Sequence, residues 1–241
     1  VKYLKKSGNA HKFLLQGTRH DIVNALRRSI VGHIQTLAIE KVMIYKNESV
    51  MPDEFLAHRL GLVPINARDF NDTTEFSLSL EKTGGVVKSG DIETNGLVDI
   101  PYKNIPLVKL NDKKKLELEL VALTGTGDMH IKWNPALVYF NNVPSIKTKG
   151  KVDEKLAKLC MHKLIEIKAG KAVLSDPYNC DACRYCCSVS DGVIEMDMLD
   201  DEFVFTIEPY GNLDVDLIIS GAVDYLQKEL SELEDQIGKL K

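Results

Sequence analysis

The first 159 residues contain no cysteine, and neither do the last 54; all five cysteines fall between Cys160 and Cys187. An odd number gathered in one place excludes the secreted disulfide framework, in which paired cysteines are spread along a small chain. No apolar run approaches the length that spans a bilayer. The opening stretch, VKYLKKSGNAHKF, lacks the apolar centre of a secretory signal. The expected compartment is therefore the cytoplasm, and the Asn-x-Ser/Thr matches at Asn47 and Asn71 are then chance. There is no phosphate loop, no G-x-G-x-x-G after a strand, no H-E-x-x-H and no G-x-S-x-G. The six histidines are dispersed, and no acidic group reads as a two-metal site. Repeats and low-complexity tracts are also missing. A self-contained active site is therefore not expected. A net charge of −4 argues against binding nucleic acid through overall charge, and leaves room for a local basic patch.

What is present suits an ordinary globular α+β chain: 241 residues, 44% apolar and 27% charged. Residues 2–16 read as strand, turn and strand around Ser7-Gly8-Asn9. Thr18 and Asp21 suggest a capping box, with Ile22, Ala25, Leu26, Ser29 and Ile30 on one helical face. Leu37–Tyr45 alternates like a strand. Pro52, Asp53 and Glu54 open a short helix that Gly61 ends and Pro64 stops. From Phe76 to about Val143 the pattern is mostly strands, separated by Gly84-Gly85, Gly125-Thr-Gly127 and prolines. Val193–Met198 and Phe203–Glu208 read as a hairpin around Asp200-Asp201. Ile219, Val223, Leu226, Leu230, Leu233, Ile237 and Leu240 form a heptad seam on the last helix. Such a seam packs either on its own domain or on another subunit's helix.

Four of the cysteines lie in Cys180-Asp-Ala-Cys183-Arg-Tyr-Cys186-Cys187. A C-x2-C-x2-C run brings three thiolates around one point, and a remote cysteine, here Cys160, can close the site. That pattern fits an iron–sulfur cluster, [4Fe-4S] in its full form, with [3Fe-4S] or an empty site as lesser states. Zinc usually uses two C-x2-C knuckles, and only one is here. Simple buried thiols are the third reading. The run resembles bacterial-type ferredoxin, in which two such runs exchange their fourth cysteines. In that comparison the first run's other positions are Gly150, Asp153 and Leu156, and the second run's fourth is Ser190. The resemblance thus implies one cluster lost and one kept on Cys160, Cys180, Cys183 and Cys186, with Cys187 spare. Its role is a structural brace or an assembly sensor; a ferredoxin-like electron carrier is the alternative.

Two further stretches are Asn24-Ala-Leu-Arg-Arg-Ser-Ile30 and Leu56-Ala-His-Arg-Leu-Gly-Leu-Val-Pro-Ile65. Together, in this order, and with VFTIEPYGNL at Val204–Leu213, they resemble the α-like subunits of multisubunit RNA polymerases, most of all those of the archaeal enzyme. The resemblance covers nearly the whole chain. It implies a non-catalytic assembly subunit whose active site lies in other subunits. It further implies a discontinuous dimerisation domain (1–43 and 194–241), an inserted β-rich domain (44–145) and a ferredoxin-like module (146–193). Subunit L would be the heterodimer partner; subunits N and P and the second-largest subunit would join that pair, and DNA would be met only through the whole complex. The partner interface would use Asn24, Arg27, Arg28, Val223, Leu226, Leu230, Leu233 and Ile237.

Overall fold

The computed structural model describes residues 1–66, 75–96, 98–150, 152, 158 and 160–240. Asn71 and two expected vestigial positions, Asp153 and Leu156, lie outside the described residues. In chain order the elements are β1 (Lys2–Ser7), β2 (Ala10–Gln16), α1 (His20–His33), β3 (Gln35–Asn47), α2 (Asp53–Gly61), β4 (Glu75–Lys88), β5 (Pro106–Thr126), β6 (Ala136–Thr148), β7 (Ile165–Lys168), β8 (Lys171–Leu174), α3 (Tyr185–Ser188), β9 (Ile194–Pro209) and α4 (Val215–Gly238). Their contacts divide into two compact units, residues 1–24 with 139–206 and residues 25–138 with 207–241. These units describe packing within the isolated chain, a different property from the sequence divisions at 43, 145 and 193.

The second unit is built on a three-stranded sheet in the order β3-β5-β4. Period-two patterning explains its core. Leu116, Leu118, Leu120 and Ala122 of β5 point inward, and Glu117 and Glu119 point out. Leu78 and Leu80 of β4 and Leu37 and Ile39 of β3 join them. Helix α2 covers this face with Leu56 and Leu60. Each such side chain contributes roughly 1.5–3 kcal/mol by leaving water. Pro52 occupies the N-cap position of α2, and Asp53 and Glu54 fill the first turn, where negative charge suits the helix dipole. The Asn47 amide donates to the Asp53 carboxylate at 2.7 Å and fixes the entry.

Two glycine pairs do more than separate strands. Gly84 and Gly85 lie inside β4, both at positive φ, where the ladder with β5 slips; they form a bulge rather than a strand end. Gly125 of β5 pairs with β3, and a Cβ there would stand 2.5 Å from the Trp133 ring. A Cβ on Gly127 would stand 1.9 Å from the Val31 carbonyl oxygen. The Gly-Thr-Gly stretch is thus a close contact between the end of β5 and the end of α1.

The first unit carries a four-stranded sheet in the order β1-β2-β9-β6. The expected hairpin around Asp200-Asp201 is absent: residues 194–209 are one strand. β9 is an inner strand with neighbours on both sides, so its acidic stretch needs no turn. The Asn142 amide donates to the Leu199 carbonyl at 2.8 Å, and the Gln16 amide to Glu202 at 2.9 Å. Lys147 pairs with Asp197 at 2.5 Å. Leu14, Val143 and Val204 form the buried centre here, with Leu4 and Tyr178 against it.

Helix α1 forms where expected but turns differently. Val23 and Ile30 are buried with Leu26 between them, and Ile22 is 58% exposed. The spacing i, i+3, i+7 fits Val23 as well as Ile22, and only packing chooses. Asp21 takes two nitrogens of Arg19, at 3.1 and 2.6 Å.

Candidate partner face and cysteine centre

Helix α4 carries two apolar stripes in its first half and one in its second. Ile218 and Ala222 are fully buried, and Tyr225 stacks on His33 of α1 with ring centroids 4.3 Å apart and planes at 11°. The Tyr225–His33 stack ties α4 to α1 within the second unit. Sequence reading missed this stripe, although Ile218, Ala222 and Tyr225 show the same 4-3 spacing one position away. The seam read from sequence is the other stripe. Leu226 is half-buried, but Val223, Leu230, Leu233 and Ile237 are 39%, 61%, 51% and 51% exposed. Every described residue from Gln227 onward is exposed. The chain therefore packs α4 on itself by its first three turns and leaves the remaining apolar seam uncovered. Exposed Leu and Ile at heptad spacing on a helix with no cover of its own are the pattern of a helix–helix interface.

On α1, Arg28 is exposed and Asn24 and Arg27 are half-buried. Asn24 and Arg27 are already engaged within the chain. Arg59 of α2 donates to the Pro106 carbonyl at 2.5 Å, so it braces its own unit.

The cysteines sit at the other centre. Cys160 precedes a turn closed by the Lys163 N–H to the Cys160 carbonyl at 2.9 Å. The Leu164 N–H points at the Cys160 sulfur at 3.5 Å. Residues 180–186 turn sharply because Ala182 and Arg184 both adopt left-handed backbone, φ +52° and +58°. Cys186 and Cys187 follow on the four-residue α3. His162 and Asp181 meet at 3.3 Å and link the Cys160 turn to the Cys180 turn. Cys186 is buried, Cys183 is exposed, and Cys160, Cys180 and Cys187 are half-buried. Burial pushes the Cys186 thiol up to about 11, helped by Cys187 beside it, whose sulfur is 4.0 Å away. Burial also raises Cys180, with Asp181 and the Cys160 and Cys183 thiols adding to it and the Ala182 N–H opposing.

Ser190, at the position of a fourth ferredoxin cysteine, is buried. It donates to the Cys187 carbonyl at 3.1 Å and accepts from the Ile194 N–H at 3.0 Å. Its hydroxyl serves the backbone. As placed, no three His, Cys, Asp or Glu side chains among the described residues stand close enough to hold a metal ion. The donor set nonetheless suits a thiolate-bound cluster: four sulfurs on two loops tied together, with backbone N–H groups directed at two of them.

The apolar seam that α4 leaves uncovered is the mark of a chain built to join others. Comparison with known proteins agrees. The model of the RNA polymerase Rpb3/Rpb11 dimerisation domain matches residues 12–230. DNA-directed RNA polymerase subunit Rpo3 of Pyrococcus furiosus is 30% identical across 100% of this chain and 97% of its own length. Its counterpart in Methanothermobacter thermautotrophicus is 34% identical over 95% of each chain. The chain belongs to the α-like subunit family of RNA polymerase, in its archaeal form. It is a non-catalytic assembly subunit, and its fold is α+β as the sequence implied.

Proposed function

We propose that this chain is the scaffold on which an archaeal RNA polymerase begins to assemble, pairing with subunit L through α1 and the second half of α4. The observation that carries this reading is the uncovered seam of Leu230, Leu233 and Ile237. Burying three such side chains in a partner gives roughly 4–9 kcal/mol before association costs are met. In this reading residues 1–43 and 194–241 form the dimerisation domain, 44–145 the inserted domain and 146–193 the cysteine module. Asn24, Arg27 and Arg28 flank the contact. Subunits N and P and the second-largest subunit then dock on the pair, in the cytoplasm.

Cys160, Cys180, Cys183 and Cys186 would hold one iron–sulfur cluster, its ligands being the four thiolates of the two loops. When bound, the cluster supplies four covalent cross-links inside the module. The chain's own contribution is to hold the two loops together through His162 and Asp181 and to shield the inner thiols. We read the cluster as a brace, whose loss would signal oxidation or iron shortage through weaker assembly.

Co-expression with subunit L and size-exclusion chromatography with light scattering test the pairing. A stable 1:1 complex is expected. The double substitution Leu230→Asp/Leu233→Asp should weaken it by at least about 100-fold, since each buried Leu is worth roughly 1.5–3 kcal/mol. A chain that stays monomeric beside L overturns the proposal. Iron and sulfide analysis of anaerobically purified protein tests the cluster separately.

A further inference from the structure

Helix α4 holds more negative charge than the whole chain shows. Val215–Gly238 contains six Asp or Glu and one Lys, a net charge of −5. The chain as a whole carries −4, so the other residues together carry +1. Helix stability does not explain this placement, because a helix favours acids in its first turn and cations in its last. Here five of the six acids follow Val223, and the last turn holds Asp235 and no cation. Lys239 and Lys241 lie past the helix end.

The seam gives these charges an order. With Val223, Leu230 and Ile237 at the a positions of a heptad and Leu226 and Leu233 at d, the flanking e positions are Gln227 and Glu234, and the g positions are Glu229 and Gln236. All four flanking residues are exposed. The seam is thus bordered by two carboxylates, two amides and no cation. The one lysine of α4, Lys228, falls at f, on the far side from the seam, with Glu232 at 3.9 Å. Positions e and g are where paired helices place the charges that select a partner.

A second copy of this chain makes a poor partner for such a seam. Side by side in parallel, Glu229 of each copy would face Glu234 of the other, since a g position meets the e position five residues on. Antiparallel and centred on the seam, each Glu would face a Gln and gain no ion pair. In both arrangements two helices of net charge −5 approach each other. A helix with Lys or Arg at its own e and g positions meets both glutamates with opposite charge.

We infer that the α4 seam selects its partner by charge: it takes a helix whose apolar seam is flanked by lysine or arginine, and it rejects a second copy of this chain. The inference rests on the reading of α4 as the partner face, and adds the chemistry that the partner presents there. Leu230, Leu233 and Ile237 supply the attraction, and Glu229 and Glu234 decide which helix receives it.

The probes are two labelled helical peptides of about four heptads with one shared Ile and Leu seam, long enough to be helical. One carries Lys at every e and g position and the other Glu. Each is titrated with the full chain by fluorescence anisotropy. At physiological salt the Lys peptide should bind about 10-fold more tightly than the Glu peptide. In about 1 M salt, where the screening length falls to about 3 Å, that preference should shrink to about 2-fold. Glu229→Lys/Glu234→Lys should reverse the preference. Asp224→Lys/Asp235→Lys, which changes net charge equally from the b and f positions, should preserve it. Binding of neither peptide, of both alike, or with a preference that the outer pair alters as much as the flanking pair, overturns the inference. By light scattering the chain alone should be monomeric, and a dimer that Leu230→Asp dissolves overturns the rejection of self. A chain that pairs with subunit L and shows no preference between the peptides sinks this inference alone. One that prefers the Lys peptide and stays monomeric beside L sinks the pairing reading alone.

Discussion

The sheet of β3, β4 and β5 and the cysteine module are held together by different means. The sheet has long strands, of 13, 14 and 21 residues, and one continuous buried cluster that includes Leu60, Leu80, Leu118 and Leu120. The module has two four-residue strands, a four-residue helix and a buried centre of Val152, Ile165, Ala172, Cys186 and Ile194. Such a small apolar centre offsets little conformational entropy, and regions of this kind usually depend on cross-links or a metal. The comparison teaches that apolar area accounts for the sheet and falls short for the module, which is where the proposed cluster would act.

The largest test of that difference is Cys183→Ser. With a cluster holding the module, hydrogen exchange at the β7 and β8 amides should quicken by about 1,000-fold, the effect expected when a binding energy of several kcal/mol is lost. The β5 amides should not change. Equal protection in the variant and the parent would show that the module stands on its own. Leu120→Ala probes the other side. It should cost about 2–5 kcal/mol in denaturant unfolding, because the side chain is fully buried in the sheet's core. A cost below about 1 kcal/mol would mean that the sheet is not the stable region.

Ser190→Ala is smaller. It removes a hydroxyl that both donates and accepts inside the module, so about 1–2 kcal/mol of local stability should disappear, read as faster exchange around β7 and β8. Restoring a thiol there, Ser190→Cys, should not create a second cluster, since Gly150 offers no sulfur. The smallest effect belongs to the sheet's rim. Burial raises Asp91, but Lys82 at 2.6 Å and the Lys88 N–H at 2.7 Å outweigh it and hold its carboxyl below the usual carboxylate range. A depressed folded value means that the contribution is present above the unfolded value and fades as pH falls through the folded one. Asp91→Asn should therefore cost a few tenths of a kcal/mol at pH 7, and nothing in strong acid. An undiminished difference in acid would assign the effect to hydrogen bonding alone.

Much of this was legible in the chain. The Leu-Glu alternation of Leu116–Leu120 set both faces of β5, and Pro52, Gly61 and Pro64 bounded α2 to within a residue. The α4 seam was legible because heptad spacing survives in any context. Three features were not. The acidic stretch at Asp200-Asp201 imitated a turn, because a strand paired on both sides can carry outward acids that local propensity assigns to a hairpin tip. Gly125 and Gly127 imitated a turn, because nothing local reveals that Trp133 and the Val31 carbonyl will press against them. The orientation of α1 was ambiguous, because Ile22 and Val23 both begin a helical series.

The sequence by itself determined the apolar periods, the bounds of α2, the cysteine spacing and the family. These depend on residue type and local geometry, which need no partner in space. Tertiary structure alone decided which of two stripes on α4 the chain keeps for itself and which backbone groups the glycines must admit. Those are properties of distant residues brought close, and their physical reason is packing: a surface is buried or left open only once its neighbours are in place.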